Sequence, residues 1–268
     1  MRTDGRKNVF ATNMVVTLKD QNWLEKQRVA GKVVAGALTL LENEVKNGTN
    51  KSLLELDVLA EIFIRDNNCV PTFLHYKNFP NSVCISVNRQ LVHGIPTDYK
   101  LQNGDVVSFD LGATFEGAIG DSAITCIYGQ PKSEQHVKLV AATELALMKG
   151  IEAIKVGNRL GCIGEAIYKS VRSNNFSVVC NYGGHGIDWE TPHASPFVAN
   201  KANINEGIRI QENLTLAIEP MLTTGSTKTW TDKDGWTVWC EADMSAHFEH
   251  TIFVHKDHVE VITDRVRI

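Results

Sequence analysis

The sequence carries two aspartates, Asp110 and Asp121, in a segment that has no positive side chain. No lysine or arginine lies between Lys100 and Lys132. Two carboxylates held close together repel each other unless a cation lies between them. The pair therefore either stays solvated at strand edges or is neutralised by a cation brought from elsewhere, and the local sequence leaves both interpretations open.

The residues around this pair predict a β-hairpin. Alternating apolar residues and a glycine-containing turn indicate strands over residues 106–113 and 118–128. With the turn centred on the Phe115–Glu116 bond, antiparallel pairing places Asp110 directly opposite Asp121 on the same face. Their Cβ atoms would then be roughly 4.5–5.5 Å apart.

Three further polar residues lie in apolar or glycine-flanked segments. They are His185 in GGHGI, Glu219 in LAIEPML and Glu249 in SAHFEHTIFV. A carboxylate such as Glu219, placed between isoleucine and proline, is costly to bury without a partner. These residues also lie in windows without lysine or arginine, between Arg172 and Lys201, Arg209 and Lys228, and Lys233 and Lys256.

Gathered together, the four carboxylates and one imidazole would carry a charge that two divalent cations cancel. Two such ions about 3.5–4 Å apart clamp a nucleophilic water and polarise a substrate carbonyl in known hydrolases. Oxygen-rich ligands with one histidine suit Mn²⁺, Fe²⁺ or Co²⁺ better than a cysteine-type zinc site does, with Zn²⁺ or Ni²⁺ as alternatives. Distant basic residues folding back onto these groups are the competing explanation.

The remaining histidines divide into two groups. His93 in VHGIP and His193 lie near the candidate ligands in sequence, which favours acid/base roles over ordinary packing. His247 and His250 flank Glu249 on a predicted strand, and we expect them to point to the opposite face, away from any site.

Composition excludes several classes of protein. The 268 residues are 43% hydrophobic and 22% charged, with a formal net charge of −4 and no basic run, so no nucleic-acid surface is indicated. The longest apolar stretch, residues 33–41, is too short to span a bilayer, and residues 1–20 lack the apolar core of a secretory signal. Six scattered cysteines without a CxxC motif indicate reduced thiols. We expect a cytoplasmic protein without a membrane contact.

The order of predicted elements is helix, helix, strands, and it occurs twice. After a short polar tail (residues 1–16), Asp20 caps a helix to about Lys46, and a second helix follows from about 53 to 67. Ser133 opens the next pair of helices. The sequence therefore predicts one α+β catalytic domain over residues 1–268, built from pseudo-symmetric halves at about 17–130 and 131–268, with antiparallel or mixed sheets and helices outside.

The chain closely resembles the type I methionine aminopeptidases, metallopeptidases of the pita-bread fold. The motifs that carry the resemblance are the Asp110 and Asp121 pair and the segments SVCISVNRQLVHGIP, GGHGI, AIEPM, DGWTV and SAHFEHTI. The resemblance implies a fold, an enzyme class and a set of site residues. The implied metal ligands are Asp110, Asp121, His185, Glu219 and Glu249, with His93, His193 and Glu219 catalytic, and with Tyr76, Phe79, Cys84 and Trp236 lining the methionine pocket beside both histidines.

The implied activity is removal of the N-terminal initiator methionine from peptides and nascent chains, including those at the ribosome, with a small second residue preferred. Two divalent metals per chain and a monomer are expected. The alternatives are an X-Pro peptidase of the same fold, as in aminopeptidase P and prolidase, and a catalytically silent binding module. The Asp110-Leu111-Gly112 segment resembles the former class.

Four positions depart from the family pattern. Lys77 replaces a histidine, Asp188 a glycine, Pro192 an aromatic residue and Ala194 a glutamate, and one residue is added between His185 and His193. We expect these changes to cluster at one rim of the pocket and to affect substrate preference more than metal binding. Core packing of the four pocket-wall residues is the competing interpretation.

Overall fold

The computed structural model describes residues 16–265, so the predicted polar tail lies outside the described residues apart from Val16. Within this range the α-helices are α1 Gln21–Lys46, α2 Leu53–Asp66, α3 Glu134–Glu152 and α4 Gly161–Val171. The strands in chain order are β1 Val70–Pro71, β2 Val83–Val87, β3 Gln90–Val92, β4 Val106–Phe115, β5 Ala118–Ile127, β6 Ser177–Val178, β7 Gly183–Asp188, β8 Thr191–Ala199, β9 Thr215–Ile218, β10 Met221–Thr223, β11 Thr229–Thr231, β12 Val238–Cys240, β13 Ser245–His247, β14 Glu249–Val254 and β15 Val259–Val261.

The helix starts follow from capping side chains. Asp20 accepts a hydrogen bond from the Trp23 backbone N–H at the start of α1, as predicted. Ser52 and Glu55 form a reciprocal capping box at α2, and Ser133 caps α3. The apolar stripe of α1 is buried in the core, because its residues recur at helical spacing.

A nine-stranded sheet forms the centre of the molecule. Its main path runs β1-β4-β5-β14-β9-β7-β8, with β2 paired to β4 and β15 paired to β14, and each pairing is antiparallel. Two smaller sheets, β13-β10-β6 and β11-β12-β3, lie beside it. The helix pairs α1–α2 and α3–α4 each precede a group of strands, as the α+β prediction requires. The boundary near residue 130 stays a prediction.

The hairpin β4–β5 forms, but its predicted register is wrong. Asp110 pairs with Ala123, and Asp121 pairs with Gly112. The turn residues Glu116 (φ 45°) and Gly117 (φ 86°) both have left-handed backbone, the conformation of a two-residue hairpin turn, so the turn is centred one bond later than expected. Because alternate residues share a face, the two carboxylates still lie on the same face, as diagonal rather than direct neighbours.

Residues 16–265 contain no helix whose length and apolar character would let it span a bilayer.

Helix α1 packs closely on the strand that carries Asp121. A Cβ placed on Gly120 would lie 2.9 Å from the Cα and N of Gly31 and 3.1 Å from the carbonyl carbon of Ala30. These are backbone atoms of the helix, which cannot rotate away. Glycine at 120 is therefore required for α1 to lie this close to β5.

We predict that Gly120→Ala lowers the free energy of unfolding by about 1–3 kcal/mol, because the added methyl group forces α1 away from β5. Urea denaturation followed by circular dichroism measures the change. Gly225→Ala is the matched control, since nothing lies within 4 Å of the position that its Cβ would take. Equal unfolding midpoints for the two variants would contradict this account of the packing.

Candidate active site

One cavity of about 280 Å³ brings together every residue that the sequence predicted for metal binding, catalysis or substrate binding. These residues come from segments spread across the chain. Its lining includes Tyr76, Phe79, Cys84, His93, Asp110, Asp121, His185, His193, Glu219, Trp236 and Glu249.

The candidate ligands come from five neighbouring strands of the main sheet. Asp110 lies on β4, Asp121 on β5 and His185 on β7, Glu249 begins β14, and Glu219 follows the last residue of β9. These strands are neighbours in the order β4-β5-β14-β9-β7, and each supplies one side chain. Strands pair at about 4.8 Å, so this arrangement produces a row of closely spaced ligand groups.

The ligand atoms lie within metal-binding range of one another. Three groups have all their ligand atoms within 4.8 Å of one another: Asp110–Asp121–Glu249, His185–Glu219–Glu249 and Asp121–His185–His193. His185 Nε2 lies 3.4 Å from Glu219 Oε1 and 3.9 Å from Glu249 Oε1. Glu249 belongs to the first two groups, so its carboxylate connects them.

The donor set fits divalent cations. Among the described residues, no lysine or arginine forms a salt bridge with these carboxylates, so the competing explanation by distant basic residues fails there. Asp110 Oδ1, Asp121 Oδ1 and Glu249 Oε1 are buried and have no hydrogen-bond partner. Buried polar atoms are otherwise almost always paired, so these oxygens are available for a metal.

Burial and mutual repulsion shift the protonation of the cluster. Burial raises the pKa of Asp110 to about 7, opposed by His247 and reinforced by Glu219. Burial likewise raises the pKa of Glu219 to about 7, against the influence of His185. Burial first, and the neighbouring carboxylates second, raise the pKa values of Asp121 and Glu249 well above the ordinary range.

Backbone contacts hold the two central ligand strands together. The Asp121 N–H donates to Thr251 Oγ1 at 2.9 Å, and the same hydroxyl donates to the Asp121 carbonyl at 2.7 Å. Ser122 Oγ donates to the Glu249 carbonyl and accepts from Arg265 Nη1. These bonds connect the backbone beside Asp121 with the backbone of β14, which fixes the spacing of Asp121 and Glu249.

The prediction that His247 points away from the site is wrong. Its Nε2 lies 3.3 Å from Glu219 Oε2, and the ring is buried. His247 lies two residues before Glu249, and residues two apart on a strand share a face, so alternation itself places His247 on the side of the ligands, even though β13 and β14 are separate strands. The expectation of an opposite face holds only for His250, the direct neighbour of Glu249. His250 lies within β14 and bonds Thr263, away from the cavity.

The two predicted acid/base histidines lie on different walls. His93 has a left-handed backbone (φ 58°), fixed by bonds from Ile85 to the Gly94 carbonyl and from Gly94 to Ser86 Oγ. Burial, with His247 and His185, lowers the pKa of His93 to about 4. His193 is exposed at the cavity edge, with its ring centroid 4.5 Å from that of His185; desolvation of the ring by its cavity neighbours, together with His185, lowers its pKa. Both rings are therefore neutral near pH 7.

The predicted pocket wall is a compact apolar cluster. Phe79 and Cys84 pack together with Trp236, whose ring centroid is 5.2 Å from that of Phe79 in an edge-to-face contact. The lining residues that sequence reasoning missed include Phe73, Tyr182, Phe197 and Met221. Tyr182 directly precedes GGHGI and Met221 ends AIEPM, so proximity to those motifs was the available signal for these two; we find none for Phe73 or Phe197.

The departures from the family pattern do not cluster at one rim as expected. Of the four, Lys77 alone lines the cavity, with its Nζ 5.1 Å from the Tyr76 ring centroid. Asp188 instead pairs with Lys19, outside the cavity. Pro192 is buried, and Ala194 pairs with Gly186 across β7–β8, where the register shifts twice.

The chain matches known proteins over most of its length. Residues 25–256 match the sequence profile of Metallopeptidase family M24. The chain is 42% identical over 254 residues to a methionine aminopeptidase of Mycoplasma capricolum, an alignment that covers 94% of this chain and 100% of the relative. A crystal structure of methionine aminopeptidase from Thermotoga maritima matches with a TM-score of 0.88 at 34% identity, over 94% of this chain and 100% of that one.

A prolidase from Pyrococcus horikoshii shares the fold alone, with a TM-score of 0.71 at 18% identity over 93% of this chain and 64% of the prolidase. The chain belongs to metallopeptidase family M24 and, within it, to the methionine aminopeptidases. The predicted pita-bread fold and the predicted class, a metal-dependent aminopeptidase, are confirmed.

The raised pKa values predict how metal and pH act together on stability. Asp110 and Glu219 have pKa values of about 7 in the metal-free fold, against ordinary values of 3.8 and 4.5. Between about pH 4 and pH 7 the folded chain thus holds protons that the unfolded chain has released. The stability that these bound protons give to the metal-free fold is fully present below about pH 4 and is lost as the pH rises through about 7.

Metal binding should therefore raise the thermal unfolding midpoint more at pH 7.5 than at pH 5.5, because at the lower pH it must displace protons. The measurement compares protein in chelator with protein in a fixed excess of Mn²⁺; an excess of about a hundredfold over Kd stabilises by about 2.7 kcal/mol. Asp110→Asn should lose most of the increment, whereas Glu116→Gln on the exposed hairpin turn should keep it. An equal increment at both pH values would refute the prediction.

Proposed function

We propose that this chain removes the N-terminal methionine from peptides and nascent proteins, using two divalent metal ions held by Asp110, Asp121, His185, Glu219 and Glu249. The observation that carries the proposal is the single cavity in which a carboxylate-rich cluster adjoins an apolar wall. The cluster suits hydrolysis of an amide, and the wall suits a thioether side chain.

The metals remain to be identified. Four carboxylates with one imidazole favour Mn²⁺, Fe²⁺ or Co²⁺, with Zn²⁺ or Ni²⁺ as alternatives. When bound, they supply an activated water and polarise the scissile carbonyl. The chain's own part is to hold them, to orient the substrate and to move protons.

Substrate orientation follows from the two ends of the cavity. A free α-amino group is attracted to the carboxylate cluster, which restricts cleavage to the first residue. The methionine side chain then lies against Phe79, Cys84 and Trp236, with Tyr76 beside the opening. Aromatic and sulfur-containing walls make favourable contacts with a thioether sulfur.

Three side chains are proposed to handle protons and charge. Glu219, which lies in the cavity within 3.4 Å of both His185 and His247, is suited to take a proton from the attacking water and pass it to the leaving amine. His193, neutral at the cavity mouth, would donate a hydrogen bond to the oxyanion. His93, near Tyr182 and Trp236, would orient the amide and support the departing amine.

The cellular setting is part of the proposal. We propose a monomer that acts in the cytoplasm on emerging chains at the ribosome, without binding nucleic acid itself, and that prefers a small second residue. The X-Pro alternative rests on the fold and on the short Asp110-Leu111-Gly112 segment. The silent-module alternative has no supporting observation, since all the predicted ligand side chains converge in the cavity.

We expect metal-loaded protein to release methionine from a Met-Ala-Ser peptide and to leave an Ala-Pro-Ala peptide intact. Mass spectrometry of both peptides, with Mn²⁺, Fe²⁺ and Co²⁺ in parallel, makes the comparison. Activity should disappear in chelator and return with metal. Cleavage of the Ala-Pro-Ala peptide alone would replace this proposal with the X-Pro peptidase, and cleavage of neither peptide would favour the silent module.

We expect Glu219→Gln to lower kcat by about 10²- to 10⁴-fold, the usual contribution of a general acid or base. Because Glu219 is also a proposed metal ligand, the metal content of each preparation is measured alongside kcat, and rates are compared at equal loading. Glu241→Gln, on the exposed surface, is the matched control and should retain full activity. Near-normal turnover by loaded Glu219→Gln would remove Glu219 from the mechanism.

A further inference from the structure

The hairpin β7–β8 carries both His185 and His193, but the sheet supports only part of it. Strand β7 pairs with β9 only at His185 and Gly186. Strand β8 is the outermost strand of the sheet path. The distal hairpin, defined here as residues 187–193, therefore has no further strand beside it within the described residues.

His193 lies in this distal hairpin and has few contacts to fix it. Its ring packs against His185 and Tyr76, with centroids 4.5 and 5.3 Å away, and stacks more distantly on Phe73 at 6.2 Å. No described residue forms a hydrogen bond with the ring. The register of β7–β8 shifts on both sides of Gly186, so the ladder itself is irregular next to His193. The position of the His193 ring therefore depends on the contacts that hold the end of the hairpin.

The hairpin end is held by a half-buried ion pair. Lys19 Nζ lies 2.6 Å from Asp188 Oδ1; the lysine side chain is 2% exposed and the aspartate side chain 32%. Thr17 Oγ1 donates to the other carboxylate oxygen at 2.7 Å, and the Lys19 N–H donates to the Asn213 carbonyl at 2.8 Å. The buried ammonium of Lys19 is costly without its partner, so it strongly constrains the position of the Asp188 carboxylate.

The same end also contacts the other ligand-bearing hairpin. The Glu190 N–H donates to the Gly117 carbonyl at 3.0 Å, at the turn of β4–β5. The Trp189 ring is so close to Gly117 that a Cβ there would lie 2.7 Å from it. Trp189 also meets Trp23 of α1 edge-to-face at 4.6 Å, and the Lys19 ammonium lies 5.0 Å from the Trp23 ring centroid.

We propose that Lys19 and Asp188 are a positioning pair that fixes the distal hairpin against the β4–β5 turn and thereby places His193 relative to Asp121. This inference rests on the proposed function for its kinetic consequence, but the structural restraint stands independently of it. His185 lies in the part of β7 that β9 supports, so the pair acts on His193 and leaves the metal ligands in place.

The first variant is Lys19→Met, which keeps the length of the side chain and removes its charge. Because it leaves Asp188 without its cation, Lys19→Met/Asp188→Asn is made beside it; the double variant removes the pair without a lone buried charge. Glu241→Gln is the matched control, since it breaks the solvent-exposed Lys228–Glu241 ion pair, which has no contact with the distal hairpin among those described above.

The first measurement is hydrogen–deuterium exchange of metal-free protein, followed by mass spectrometry. Peptides covering residues 187–193 should exchange about tenfold faster in both pair variants, while peptides covering β9 should exchange as in the wild type. Glu241→Gln should match the wild type throughout. This measurement does not depend on any activity.

The second measurement is steady-state kinetics of metal-loaded protein on Met-Ala-Ser, well below the unfolding temperature. Both pair variants should lose about 10- to 100-fold in kcat, as displaced catalytic groups do, with KM and Mn²⁺ affinity within about threefold of wild type. A merely structural pair would lower the unfolding midpoint and leave kcat per loaded molecule unchanged.

Unchanged exchange in residues 187–193 would overturn the inference, and so would faster exchange with normal kcat. A loss of kcat with equally weakened Mn²⁺ binding would also overturn it, since the effect would then run through the metal ligands. If wild-type protein fails to cleave Met-Ala-Ser, the proposed function fails, and the exchange result alone decides whether the pair restrains the hairpin.

Discussion

The burial of four carboxylates beside His185 and His247, without a salt bridge to any described lysine or arginine, is the constraint on which the rest of this structure depends. Transferring a lone carboxylate into an apolar interior is so unfavourable that the group protonates or finds a cation. Here the raised pKa of each carboxyl records the first response, and the unpaired oxygens of Asp110, Asp121 and Glu249 indicate the second. Protons and metal ions therefore compete for the same carboxylates.

The sheet makes this concentration of charge geometrically possible. A single strand cannot bring its own residues together on one face at less than about 6.5 Å, because alternate residues rise by two steps of about 3.3 Å. Neighbouring strands are closer, at about 4.8 Å, so one ligand from each of five strands produces a tighter group. The contacts of Thr251 and Ser122 then hold β5 and β14 at fixed spacing against the repulsion between Asp121 and Glu249.

The sequence predicts what depends on local chemistry and fails where distant segments decide. Capping by Asp20 and a helical apolar stripe sufficed for α1, and cation-free windows sufficed to identify the cluster. The predicted pairing of Asp110 was wrong because moving the centre of the turn by one bond shifts every residue pair along the hairpin. The left-handed backbone of Glu116 sets the position of that turn. His247 was assigned to the wrong face, because residues two apart on a strand, such as His247 and Glu249, share a face. Phe197 comes to the cavity from an edge strand whose position no local pattern specifies.

The Lys19–Asp188 pair shows why such long-range features matter to a charged site. Its members are 169 residues apart, and neither lies in a motif that would link them. Yet the distal part of β7–β8, which carries His193, has no neighbouring strand and contributes no carboxylate to the cluster, so its position is held from outside the cluster. A restraint at the hairpin end holds it without placing a cation beside the carboxylates, where it would compete with the metals. The charge of Lys19 is used there, outside the cavity, and the ligands stay free to bind metal.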